Sequence, residues 1–375
     1  MAKSALGKVI FADPITNPDI LYATGFMSHD AFIYFESNRK KYMVVSSLEL
    51  ERANCEARKG VIVINRDDLL ANSKDKSMKA LFQSILTNYS QSKWIIPYNF
   101  PVLYAEMLKD IGSILIEKDD LFPKRTIKIS SEIKEISKAL AIAEKAMSKA
   151  ETILADSSIN RKGELVYDKK TLTSEFLKSQ INIELVRYGA HTHGTIAASG
   201  IQCSIPHDTG SGGISESVPI IIDIFPRLES SGYWGDITRT FTKGKAPELL
   251  KLAYNAVKTA RDNAISKVKP EAIPSVIAKE ATEDLSKMGF KTGRDKDGRY
   301  CGFFHGLGHG VGLEIHENPR VNAISFKPLE AGNVITIEPG VYYSEWGGAR
   351  LEDLILVTSD GHRNLTKYPS VLEIG

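Results

Sequence analysis

The period of apolar and polar positions changes near residue 126, and the change divides the chain. Before it, short aromatic and β-branched runs alternate with helical segments. Ala31 to Glu36 and Lys41 to Val45 read as strands, and Ser37-Asn38-Arg39 between them reads as a hairpin turn. Val61 to Ile64 and Trp94 to Ile96 are further strand runs, whereas Glu49 to Ala57 and Met78 to Leu86 look helical. This mixture predicts a small α/β domain over residues 1–125.

Pro123-Lys124-Arg125 ends that pattern and a long helix follows. Ser130 and Ser131 are placed to cap it, and Glu132 and Glu135 suit its positive N-terminal end. Ile133, Ile136, Leu140, Ala143, Met147, Ala150 and Leu154 recur at spacings of three and four, so they share one face. That stripe reads as core packing rather than as the seam of a partner-binding coiled coil. Two later helices are punctuated by proline, one from near Pro247 to before Pro270, the other from near Pro274 to Gly289. The polar run at 293–298 contains Asp-x-Asp-Gly but lacks the other calcium ligands and the closing glutamate, so it reads as a surface turn. Gly-rich and β-rich segments then continue to the end, and residues 126–375 form the second predicted domain.

Composition narrows the function classes. With 42% hydrophobic and 25% charged residues, the chain resembles an ordinary soluble globular protein. A net charge of +2 without a basic block gives no footprint for nucleic acid. Cys55, Cys203 and Cys301 are far apart and form no C-x-x-C pair, which points to a reducing compartment. Neither a signal-peptide core nor a run of the ~20 apolar residues that span a bilayer is present. The expectation is a cytoplasmic protein with neither membrane nor nucleic acid among its partners.

Chemistry-bearing residues concentrate between His207 and Glu352. Ile220-Ile221-Ile222-Asp223 is an apolar β run ending in a carboxylate; thirteen residues on, Asp236 opens what reads as the return strand, Gly235-Asp236-Ile237-Thr238-Arg239-Thr240. A turn near Ser230-Ser231-Gly232 would bring the two acids together. Buried paired carboxylates are costly unless a positive group lies between them, and a metal ion removes that cost. The run from His305 to Glu317 sets His309 among glycines that permit close backbone approach. Glu338 ends another β run before Pro339-Gly340, and Glu352 precedes the strand Leu354 to Val357. Four carboxylates and one imidazole suit two divalent cations, and the oxygen-rich set favours Mn²⁺, Co²⁺, Fe²⁺ or Zn²⁺ over a thiolate-loving metal. Such a pair lowers the pKa of water and stabilises the oxyanion of amide hydrolysis, so the residues alone point to a dinuclear hydrolase without naming its substrate.

The order Asp…Asp-x-Thr-Arg-Thr…Gly-His-Gly-x-Gly…Glu-Pro-Gly…Glu-Asp resembles the pita-bread metallopeptidases, from about Thr126 to the end. Asn17-Pro18-Asp19-Ile20-Leu21-Tyr22-Ala23-Thr24-Gly25-Phe26 is similar to the N-terminal domain shared by prolidase, aminopeptidase P and creatinase. Creatinase lacks the metal ligands, whereas all five are present here. The resemblance implies an α+β chain: a creatinase-like α/β domain (1–125), then a pita-bread catalytic domain of curved antiparallel sheet flanked by helices (126–375). It implies a homodimer that cleaves the bond before proline in di- or oligopeptides, a Xaa-Pro dipeptidase first and an aminopeptidase P second. A non-catalytic pita-bread binding protein is the contrasting class, but such proteins normally lose ligands.

By the same resemblance Asp223 would chelate one ion, His309 and Glu338 the other, and Asp236 and Glu352 would bridge. Mn²⁺ or Co²⁺ stands ahead of Zn²⁺ or Fe²⁺. Glu338 would also act as general base, His207 would face the substrate, and His316, seven residues after His309, would polarise the scissile carbonyl. His305, Thr238 and Arg350 would orient the ligands, and Arg320 would take the substrate's C-terminal carboxylate. The chain departs from the family pattern at Asp223-Ile224-Phe225-Pro226-Arg227, where the Asp223–Asp236 connection is two residues longer than usual. An even insertion keeps side chains on their faces but changes the turn, with Arg227 expected near the rim of the site. His191 and His193 have no family role and read as ordinary strand histidines rather than an adventitious metal site.

Overall fold

In the computed structural model, which describes residues 6–89, 91–192 and 194–375, residues 1–125 and 126–375 form separate units. The first is built on a mixed six-stranded sheet. In chain order its strands are β1 (Leu6–Ala12), β2 (Phe32–Ser37), β3 (Lys40–Val45), β4 (Val61–Asn65), β5 (Lys93–Pro97) and β6 (Ile114–Glu117), and across the sheet they run β4-β3-β2-β1-β5-β6. Side chains alternate between two cores. Val9, Ile33 and Phe35 meet Phe82, Ile85 and Leu108 in one, while Ile10, Tyr34 and Met43 meet Ile20, Ala23 and Ala53 in the other. The β2–β3 hairpin turns through Asn38 (φ 51°) and Arg39 (φ 64°), both left-handed, as a two-residue turn matched to strand twist requires. The Asn17–Gly25 motif is a complete short helix, Pro18–Thr24. Asn17 Oδ1 accepts the backbone N–H groups of Asp19 and Ile20, and Gly25 closes the helix at φ 65°.

The second unit opens with the 27-residue helix Ser130–Asp156. Ile136, Leu140, Ala143, Met147, Ala150 and Leu154 of the expected stripe are buried, and Ile133 is half-buried at its start. The cap differs from expectation. Ser130 and Ser131 lie within the first turn, and the Glu132 carboxylate reaches back to accept the backbone N–H of Ile129 at 2.9 Å. A carboxylate three residues past an extended N-cap residue satisfies that donor without a serine. The helices Glu248–Ser266 and Pro274–Lys287 follow the proline punctuation, and Val257, Ala260, Ile277 and Leu285 pack with Ile335, Ile337 and Ile355. At 293–298 the polar loop is an exposed turn joining Gly293–Arg294 to Tyr300–Cys301.

Largely antiparallel strands carry the polar centre. β7 (Ile196–Ser199), β8 (Ile220–Ile224) and β9 (Ile237–Lys243) pair in that order, and Glu373–Ile374 adds to β9 in parallel. Further along are β10 (Gly308–Gly310), β11 (Glu317–Val321) and β12 (Val334–Ile337), then the hairpin of β13 (Gly340–Tyr343) and β14 (Gly347–Arg350), and last β15 (Asp353–Val357). Their second sheet runs β11-β10-β12-β15, with His362–Asn364 at its edge. The architecture is α+β. Among the described residues no helix is long and apolar enough to cross a membrane.

The β8–β9 connection is not the single turn expected. After Ile224 the chain first pairs Arg227–Leu228 with Ala190–His191, and only then turns, with the Gly232 N–H donated to the Leu228 carbonyl at 2.8 Å. The longer connection thus makes a second short ladder. Arg227 is correspondingly not at a rim: it is 5% exposed and its Nε–H donates to the Gly232 carbonyl at 3.2 Å. Gly235 rests on the long helix so closely that a Cβ would lie 2.4 Å from the Leu140 nitrogen. Only glycine fits there, and this contact sets where Asp236 enters β9.

Candidate metal centre

The five candidate ligand side chains arrive from the two sheets. Asp223 is the fourth residue of β8, paired with Thr238 of β9, and Asp236 immediately precedes β9. His309 is the middle residue of β10, Glu338 follows β12, and Glu352 lies between β14 and β15. β10 runs close to β12: a Cβ at Gly308 would sit 2.0 Å from the Thr336 carbonyl, so a glycine must precede the histidine. Ligating atoms of Asp236, His309 and Glu352 lie within 4.8 Å of one another. His309 Nε2 is 3.6 Å from Asp236 Oδ2 and 3.3 Å from Glu338 Oε1. Its Nδ1 faces the Gly310 carbonyl at 3.2 Å, so Nε2 is the nitrogen turned toward the acids.

The acids are held by an ordered set of donors. Thr238 Oγ1 donates to Glu352 Oε2 at 2.9 Å. The Arg350 guanidinium donates to Asp223 Oδ2 at 2.8 Å, to the Pro206 carbonyl at 3.0 Å and to the Tyr342 hydroxyl at 3.0 Å. Burial pushes the Tyr342 phenol up to about 12, so it keeps its proton and donates it to His305 Nε2 at 2.9 Å. His305 in turn places Nδ1 2.7 Å from the Gly306 carbonyl, and burial lowers its pKa toward the neutral imidazole. Tyr342 is therefore the link that joins Arg350 to His305. Sequence reasoning missed it, because a tyrosine in a β run carries no signal of its own.

Burial dominates the electrostatics. It raises Asp223, and with the charges of neighbouring acids it raises Asp236 and Glu352 well above the ordinary carboxylate range. Burial also acts upward on Glu338, but His309, His305 and Arg350 outweigh it and hold that carboxyl at about 2. Such a cluster calls for added positive charge. Asp223 Oδ1 is buried and has no hydrogen-bond partner among the described residues, a costly state that a cation would relieve. The donor set, four carboxylates and one imidazole nitrogen, fits hard or borderline divalent ions.

All five line one cavity of about 460 Å³. The same cavity is lined by His207, His305, His316, Arg320 and Arg350, whereas Thr238 stands behind it against Glu352. The His316 ring meets that of His309 edge-on, with centroids 4.3 Å apart. The His316 side chain is only partly covered, and that partial desolvation, with His309 and Arg320 nearby, lowers its pKa to about 4. Arg320 is exposed and donates to the His316 carbonyl at 3.0 Å. Phe225, from the lengthened connection, also lines the cavity and faces Gly194. His191 sits in the short ladder opposite Arg227, and His193 lies outside the described residues.

Comparison with known proteins agrees with this geometry. The pattern of metallopeptidase family M24 matches residues 134–359, more than half of the chain. A Xaa-Pro dipeptidase from Pyrococcus horikoshii is 31% identical over 371 residues, which cover 98% of this chain and 94% of that protein. The prolidase crystal structure from Pyrococcus horikoshii matches with a TM-score of 0.80 and 28% identity, over 98% of this chain and 95% of that one. An X-Pro aminopeptidase from Thermotoga maritima matches with a TM-score of 0.81 over 98% and 97% of the two chains, but at 21% identity it attests the fold alone. The fold is the pita-bread one expected, and the family pattern spans every acid and histidine gathered in the cavity: this chain belongs to metallopeptidase family M24.

Proposed function

We propose that this metallopeptidase hydrolyses the bond preceding proline, with Xaa-Pro dipeptides as its substrates. Two divalent ions, Mn²⁺ or Co²⁺, would be held by Asp223, Asp236, His309, Glu338 and Glu352. The observation that carries the reading is that His316 and Arg320 line the same cavity as all five ligand candidates. Its volume of about 460 Å³ suits a short peptide. Full-length similarity to a Xaa-Pro dipeptidase supports the dipeptide in particular. The three unbridged cysteines support a reducing, cytoplasmic setting. The family resemblance supports a homodimer, with units 1–125 and 126–375 of each chain acting as N-terminal and catalytic domains.

When bound, the ions supply Lewis acidity, which favours ionised water and negative charge on the carbonyl oxygen. The protein's own groups do the rest. Glu338, anionic at neutral pH, accepts the proton of the attacking water and returns it to the proline nitrogen as the C–N bond breaks. His316, neutral in its setting, donates a ring N–H to the carbonyl oxygen as charge develops there. His207 contacts the substrate from another wall of the cavity. The planar Arg320 fork pairs with the free proline carboxylate.

The test is a metal-reconstituted assay on Xaa-Pro, Xaa-Pro-Yaa and Xaa-Ala peptides. Cleavage of Xaa-Pro alone supports the reading. Cleavage of only the longer proline peptides would replace it with aminopeptidase P activity, and indifference to proline would end it.

A further inference from the structure

His316 is carried by residues 311–316, a segment without strand or helix structure between β10 and β11. Such a segment needs a device that holds its shape. The Glu317 side chain folds back into it: Oε2 accepts the Glu314 N–H at 3.3 Å, and a Cβ on Gly312 would lie 2.5 Å from Oε1. The chain is thus wrapped around the Glu317 carboxylate. Lys128, just before the long helix, meets that carboxylate with Nζ 2.6 Å from Oε1, and the two side chains are 1% and 6% exposed. Lys128 is itself fixed, because its backbone N–H donates to the Gly332 carbonyl at 2.8 Å. From another side Trp234 donates its backbone N–H to the Gly312 carbonyl at 2.9 Å and its indole N–H to the Leu313 carbonyl at 3.1 Å.

A buried ion pair is a poor source of stability, since desolvation offsets most of the attraction. What it supplies is direction. We propose that Lys128 is a positioning residue for His316: its buried ammonium holds the Glu317 carboxylate inside the 312–317 turn, and the turn in consequence aims the His316 ring into the cavity. The proposal rests on the reading of His316 as the group that meets the scissile carbonyl. Lys128 does not line the cavity and does not touch the ligand set.

The experiment compares Lys128→Met, Lys128→Arg and Glu317→Gln with wild type in metal-loaded full-length protein, each also in a His316→Ala background. Lys128→Met is expected to lower kcat on a Xaa-Pro dipeptide by about 10²-fold, the effect of losing an oxyanion donor. KM should change less than about threefold and metal content should stay the same. Lys128→Arg should recover part of the loss. In the His316→Ala background Lys128→Met should cost less than about twofold more, because residues acting through one group are not additive. A full additional loss there would show a general structural role and overturn the proposal. If Lys128→Met does not fold, Glu317→Gln, which keeps the side-chain shape, must show the same non-additivity. Amide exchange at 312–316 gives a readout independent of activity, with faster exchange confined to that segment expected in Lys128→Met. A wild type that cleaves no Xaa-Pro dipeptide would end the functional reading; unchanged exchange at 312–316 would then overturn the positioning role on its own.

Discussion

Arg350→Met tests the idea that positive charge is what the buried carboxylates require. Arg350 is 3% exposed and donates to Asp223, Tyr342 and the Pro206 carbonyl. Methionine keeps most of the volume and removes the charge, leaving Asp223 buried without its one cationic partner among the described residues. In chelated protein that should cost about 3–5 kcal/mol, the usual penalty for removing one member of a buried pair. With metal ions loaded, Asp223 keeps a positive neighbour, and the loss should shrink to the hydrogen bonds, about 1–2 kcal/mol. For a unit of this size each kcal/mol moves the melting midpoint by about 2–4 °C. The assay is thermal melting of wild type and variant, each with excess chelator and with Mn²⁺. The drop in Tm should be larger in the chelated pair, by about 1.5-fold or more. Equal drops in the two conditions would show that no cation shares Asp223, and the metal assignment at that residue would fall.

Three further outcomes are expected. Glu338→Gln should reduce kcat by about 10²–10⁴-fold, the range for a lost general base, while an Xaa-Pro dipeptide still binds by calorimetry; near-normal turnover would remove Glu338 from that role. Arg320→Ala should raise KM for an Xaa-Pro dipeptide about tenfold or more, as expected for a lost charged hydrogen bond, and leave an Xaa-Pro-amide little changed. Equal effects on acid and amide would contradict a carboxylate contact. Arg239 is 1% exposed and donates to the carbonyls of Thr238, Glu352, Tyr368 and Pro369 and to Asp353. Arg239→Met should cost about 3–5 kcal/mol in urea unfolding, and a loss under about 1 kcal/mol would show that this guanidinium does not tie those segments together.

What was legible in the sequence depended on whether a feature repeats. The stripe from Ile136 to Leu154 repeats over many turns, so the long helix was readable. Its cap was not, because either serine or the Glu132 carboxylate satisfies the same local rule and only the backbone at Ile129 decides between them. The excursion at Arg227–Leu228 is two residues long and has no period, so the sequence reads as turn there and Arg227 as a rim charge. Around the site, acids and histidines at the ends of apolar runs were conspicuous because they are costly to bury. Tyr342 and Lys128 were not, since a tyrosine in a strand and a lysine before a helix are unremarkable until their partners are known. Phe225 lies between these cases: the lengthened connection pointed to its segment, but its place in the cavity came from the fold.

If Asp223, Asp236, His309, Glu338 and Glu352 together hold two ions that hydrolysis before proline requires, metal content and turnover must rise and fall together. The most direct test is metal stoichiometry by mass spectrometry alongside turnover of a Xaa-Pro dipeptide, for wild type and for Asp236→Asn, after chelation and Mn²⁺ or Co²⁺ reloading. Two ions per wild-type chain are expected, with turnover that disappears on chelation and returns on reloading, and with loss of both ions and activity in Asp236→Asn. Full activity in the chelated enzyme, or unchanged stoichiometry in Asp236→Asn, would contradict the two-ion site.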